Sequence, residues 1–175
     1  MDIIKLVKEK EERVIKIRRD LHQIPELELE LPKTMEYISK VLDEIGVKYK
    51  KLLNGNAIVA QIDGEQEGKC IAIRADSDAL PVIEETGLPF ASTNGNMHAC
   101  GHDGHTAMAL GACMILNENK GKLKGTVKIF FQPGEESPGG ALPMIEEGCM
   151  ENPKVDAVIG LHEGCLIPIE YGKIG

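Results

Sequence analysis

The chain has 175 residues, with 20 basic and 28 acidic side chains and a formal net charge of −8. At about 150 residues per domain this is one domain or slightly more, and 42% hydrophobic against 27% charged residues suits a packed globular core. An acidic chain with no Trp and only three Tyr and three Phe lacks the basic stripe and stacking platform of a nucleic-acid binder.

The charged N-terminus, MDIIKLVKEKEERVIKIRRD, has no apolar core of a signal peptide, and no apolar run approaches the roughly 20 residues that span a bilayer. A membrane partner is therefore not expected. The five cysteines (Cys70, Cys100, Cys113, Cys149, Cys165) are odd in number and lack CxxC spacing. They read as reduced thiols of a cytoplasmic protein.

In chain order, Ile4, Val7, Val14, Ile17 and Leu21 lie near helical spacing, which predicts a helix over residues 3–22, capped by Asp2 and stopped before Pro25. Met35, Ile38, Leu42 and Ile45 predict a second helix over 34–45 that ends at Gly46. Residues 57–62 and 70–74 read as strands, 106–117 as a helix rich in Ala and Met, and 126–131 and 155–161 as further strands around a helix over 140–147. Strands alternating with helices predict an α/β fold, a mixed sheet with helices on both faces. Ligands of such sheets bind where strands end. The long irregular stretch over 80–104 exceeds the usual loop length, as functional loops do.

Three of the five histidines fall in the run His98-Ala-Cys100-Gly-His102-Asp-Gly-His105. In an extended segment Cys100 and His102 point to one side, and a thiolate beside an imidazole makes half of a transition-metal site. Glu135 and Glu136 follow a predicted strand and Pro133-Gly134. Diverging there, one carboxylate can ligate a metal while the other faces a metal-bound water, as hydrolysis requires. His162 ends the last strand. Together Cys100, His102, Glu136 and His162 form a mixed sulfur, nitrogen and oxygen set, the pattern of a catalytic centre more than of a structural one.

The runs IRRDLHQIPELE, IAIRADSDALP, GNMHACGHDGHTAMALGA, FFQPGEESPGGALPMIEEG and VIGLH resemble the N-terminal half of the aminoacylase/carboxypeptidase amidohydrolases. More narrowly, they resemble the branch of hippurate hydrolases, N-acyl-L-amino-acid amidohydrolases, N-acetyldiaminopimelate deacetylases and auxin-conjugate hydrolases. The resemblance implies a zinc-exopeptidase-like catalytic domain and metal-dependent hydrolysis of N-acyl amino acids. It implies two divalent ions, Mn²⁺ or Zn²⁺, with Co²⁺ or Ni²⁺ compatible with the same donors. Cys100, His102, Glu136 and His162 are the implied metal ligands and Glu135 the implied general base. Asp76, Asp78 and His105 are expected behind the ligands, orienting them. His22 and the other four cysteines are expected to be structural.

The resemblance further implies that residues 1–175 are the N-terminal part of the catalytic domain. A lid or dimerisation domain, the C-terminal part and a further ligand His would then lie elsewhere. The expected partners are the small substrate and either the remaining half or a second copy. A metal-binding but inactive fragment, and a structural or oligomerisation module, are the alternative readings. Glu28, Ser137 and Glu163 depart from the family pattern, which has Gly, Gly and an apolar residue there.

Overall fold

The computed structural model describes residues 2–163; Cys165 lies outside them. The first helix, α1 (Ile3–His22), starts where Asp2 accepts a hydrogen bond from the Lys5 backbone N–H. The second, α2 (Pro32–Glu44), opens on a proline, which gives up no helical hydrogen bond there. Its chain reverses at Gly46, where φ is +66°. Glu28, where the family pattern has Gly, holds φ at +58°. That left-handed conformation is one glycine adopts freely and most other residues resist.

Four described strands meet the sequence expectation: β2 (Ala57–Asp63), β3 (Gln66–Asp76), β4 (Lys124–Gln132) and β5 (Ala157–Gly160). A fifth, β1 (Lys48–Leu52), was not expected. Its sequence, KYKKL, has no alternating apolar residues, and it forms because it lies antiparallel to β2 at the sheet edge, where lysines tolerate exposure. The strand order is β1-β2-β4-β3-β5. β2 runs antiparallel to β4, whereas β3 is parallel to both β4 and β5, so the sheet is mixed as expected.

Alternation along the strands divides the apolar residues between two faces. Ile58, Ala60, Ile62, Ile129 and Phe131 pack under α1, α2 and α3 (His102–Glu118), together with Leu21, Ile38, Leu42 and Leu110. Each of the larger of these stabilises the fold by about 1.5–3 kcal/mol through burial. Ala57, Val59, Cys70, Ala72 and Phe130 face the other way, against Met144 of α4 (Ala141–Glu146), Cys149 and Val155. Cys70, Cys113 and Cys149 are buried free thiols, in line with the structural reading.

Lys128 shares the second face and is buried. Its ammonium group donates to the carbonyls of Cys149, Glu151 and Pro153, at 3.2, 2.7 and 2.9 Å. Among the described residues no helix is long and apolar enough to cross a membrane.

Candidate metal centre

Because β3, β4 and β5 are mutually parallel in register, their C-terminal ends lie along one side of the sheet. Asp76 and Asp78 leave β3 there, Glu135 and Glu136 leave β4, and His162 and Glu163 leave β5. The N-terminus of α3 arrives at the same place with Cys100, His102 and His105. This helix starts four residues before the expected position, at His102, after Gly101 takes up φ +87°. Cys100 and His102 therefore converge through a left-handed turn and not through strand alternation, which corrects the expectation of an extended segment.

His102 is the hub. Its ring is 1% exposed, and neither ring nitrogen has a well-aligned hydrogen-bond partner. Nδ1 lies 3.3 Å from Asp78 Oδ1, while Nε2 lies 3.8 Å from Asp76 Oδ2, 3.8 Å from Glu135 Oε2 and 3.9 Å from Glu136 Oε1. Three sets of donor atoms, each within 4.8 Å of one another, share this imidazole: Cys100–His102–His162, Asp76–His102–His105 and His102–Glu135–Glu136. The two glutamates do not diverge from a strand end. Both sit in the turn after Gly134 and both reach toward Nε2 of His102.

The surrounding groups fix orientation. Asp78 accepts the backbone N–H groups of Glu135 (3.0 Å) and Glu136 (3.1 Å), so one carboxylate holds the glutamate turn beside the His102 ring. His105 donates from Nδ1 to Asp76 (2.5 Å) and accepts the Glu163 backbone N–H at Nε2 (2.9 Å), which sets its tautomer. His162 donates from Nδ1 to the Glu163 carbonyl, leaving Nε2 with its lone pair 3.5 Å from Cys100 Sγ. Arg74, to which the sequence reading gave no role, bonds Asp76 (2.5 Å) and Gln132 (3.0 Å). Its position two residues before Asp76 on one strand was the available signal.

Charge in this pocket is unbalanced in a way that suits a cation. Burial opposes ionisation of Asp76, but its bond from His105 and the nearby His102 and Arg74 charges hold its carboxyl below the usual range. Asp78 is likewise lowered, with burial outweighed by His102 and the two glutamate N–H groups. Burial, then hydrogen bonding to Glu136 and the charges of Glu135 and Asp76, push the Cys100 thiol up to about 12. A cation bound there would have to displace that proton. Two buried imidazole nitrogens without partners, a thiol and clustered carboxylates fit a divalent transition metal.

The glutamate turn has little freedom. A Cβ on Gly140 would lie 1.9 Å from the Pro133 carbonyl oxygen, a backbone atom of that turn. Gly140→Ala is expected to cost about 1–3 kcal/mol of stability and to weaken metal uptake, as read by thermal unfolding and metal titration.

Comparison with known proteins places the chain in a family. The sequence profile described as Peptidase family M20/M25/M40 matches residues 72–170. An N-acetyl-L-cysteine deacetylase of Bacillus subtilis (strain 168) is 50% identical over 153 residues, covering 87% of this chain and 36% of that protein. An N-acyl-L-amino acid amidohydrolase of Geobacillus stearothermophilus is 43% identical over 176 residues, covering 99% of this chain and 46% of that protein. The crystal structure of the Bacillus subtilis YXEP protein, described as a dinuclear metal binding peptidase, superposes with a TM-score of 0.84 at 43% identity. That match covers 90% of this chain and 44% of the YXEP chain. The chain thus spans less than half the length of these relatives. With the mixed sheet and the sequence match in agreement, it belongs to peptidase family M20/M25/M40.

Proposed function

We propose that this chain carries the N-terminal part, residues 1–175, of a catalytic domain that hydrolyses the amide bond of N-acyl amino acids with the help of two divalent metal ions. The observation that carries the reading is the convergence on His102 of three sets of metal-ligating atoms at the ends of parallel strands. The deacetylase and amidohydrolase names of the relatives point to the same substrate class. Cys100, His102, Glu136 and His162 are the ligands in this reading. Mn²⁺ and Zn²⁺ are the first choices for the donor set, and Co²⁺ or Ni²⁺ would also suit it. Free thiols fit a reducing compartment such as the cytoplasm.

When bound, the metal ions supply an acidified water and polarise the amide carbonyl. The rest falls to the protein. Glu135, whose side chain is 37% exposed, has access to both water and substrate. It accepts the proton of the attacking water and returns it to the leaving amine as the carbon–nitrogen bond breaks. Asp78 holds Glu135 in place through its backbone N–H. Asp76 and His105 hold the strand end and the Glu163 backbone against the ligands. The remaining half of the domain, or a second copy of the chain, is the proposed protein partner.

The test is hydrolysis of N-acetyl and N-benzoyl amino acids by protein loaded with Mn²⁺, Zn²⁺ or Co²⁺, with metal content measured on the same sample. The expected result is metal uptake together with amine release that a chelator abolishes. Bound metal without amine release would reduce the chain to a metal-binding segment. Absence of both would overturn the centre.

A further inference from the structure

Beneath the ligand turn lies a buried group of charged side chains that the proposed chemistry does not use. His22, the last residue of α1, is 1% exposed. Its Nδ1 lies 2.6 Å from Asp103 Oδ2 and its Nε2 lies 3.1 Å from Glu84 Oε1. Both carboxylates have fully buried side chains. Two carboxylates, one beside each ring nitrogen, favour an N–H on both, the imidazolium form.

Each carboxylate is anchored further. Asp103 also meets Arg18 Nε at 2.9 Å and accepts the Gly104 N–H at 2.9 Å. Glu84 also accepts the Ser92 N–H at 2.6 Å. Phe90 closes the group edge-on to His22, with ring centroids 5.7 Å apart, and the Arg18 and Arg19 guanidinium groups lie over its face.

The two carboxylates belong to different parts of the ligand scaffold. Asp103 is in the first turn of α3, directly after His102. Glu84 is in the irregular segment that runs on to Cys100. One ring therefore ties the segment bearing the thiol and the helix bearing the hub imidazole to the same point on α1. Burial alone does not explain this arrangement, because an apolar side chain would fill the space without binding two carboxylates.

We propose that His22 is a positioning residue for the metal centre, its doubly bonded ring fixing how Cys100 and His102 approach one another. The inference rests on the metal-centre reading above. His22 touches neither ligand nor substrate, and acts through Asp103 and Glu84.

The experiment is a Co²⁺ titration of this chain and of the variants His22→Leu, His22→Asn and His22→Gln. It is read by the thiolate-to-cobalt charge-transfer absorption, with melting of the metal-free proteins measured alongside. The Asn amide nitrogen can take the place of Nδ1 and keep the Asp103 bond, whereas the Gln nitrogen reaches the place of Nε2 and keeps only the Glu84 bond. His22→Leu is expected to weaken Co²⁺ binding about 10–100-fold and to reduce the absorption per bound ion. His22→Asn and His22→Gln, each keeping one of the two bonds, should both fall between the Leu variant and the wild type.

A folded His22→Leu protein with wild-type affinity and wild-type absorption would overturn the inference, leaving His22 a structural residue only. If the Leu variant does not fold, the Asn and Gln pair decides, and wild-type affinity and absorption in both would overturn the inference as well. Wild-type protein that takes up no Co²⁺ would instead sink the metal-centre reading itself.

Discussion

Glu135→Gln in metal-loaded protein is expected to lower amide hydrolysis about 10²–10⁴-fold while metal content stays at the wild-type level. Gln preserves the shape of the side chain, and the anchor to Asp78 runs through the backbone N–H, which the substitution leaves untouched. What would disappear is the basic oxygen to which the proposed mechanism assigns the proton of the attacking water. Glu135 and Glu136 lie almost equally far from His102 Nε2, at 3.8 and 3.9 Å, so distance does not separate base from ligand. Their surroundings differ more. The Glu136 carboxylate raises the Cys100 thiol more than Glu135 does, which sets it nearer the sulfur donor, while Glu135 is the more open of the two. If the Gln variant lost metal along with activity, the roles of the two glutamates would have to be exchanged.

Lys128→Met is expected to destabilise the protein by about 3 kcal/mol or more, as read by urea unfolding. Met matches the stem of Lys and sits comfortably beside Phe130 and Val59, so packing changes little. The loss comes from the carbonyls of Cys149, Glu151 and Pro153, which would each be left without the ammonium donor they now share. A buried acceptor without a partner costs roughly 1–3 kcal/mol, and relief from burying the Lys charge offsets part of the sum. The effect should stay confined to stability. A measured loss below about 1 kcal/mol would show that water replaces the ammonium in the carbonyl cage.

The helices α1 and α2 and the strands β2 and β4 were legible because their apolar residues repeat at the helical or strand period. β1 was not, since three lysines in five residues carry no such period and only pairing with β2 makes them a strand. The start of α3 was missed for a related reason. His102-Asp-Gly-His105 is polar and contains a glycine, which reads as loop, yet all four residues are buried once the strand ends enclose them. The candidate ligand types stood out locally, as a cluster of His and Cys, a Glu pair and a His at a strand end. The geometry joining them did not, because the turn at Gly101 depends on a left-handed φ that the surrounding residues impose. His22 lay furthest from reach. Its partners are 81 and 62 residues away in sequence, and no local pattern links positions so separated.

The place of β5 has a consequence for cooperativity. Among the described residues this strand pairs only with β3, all four of its residues are exposed, and His162 lies two positions beyond its end. Wherever no further strand covers it, an outer strand held from one side is where a sheet opens first, at a cost far below that of global unfolding. A metal ion gripping His162 together with Cys100 and His102 would act as a clasp on that strand. Any opening of the edge would then have to break a coordination bond, so affinity for the ion and protection of the β5 amides against solvent exchange become two measures of one free energy.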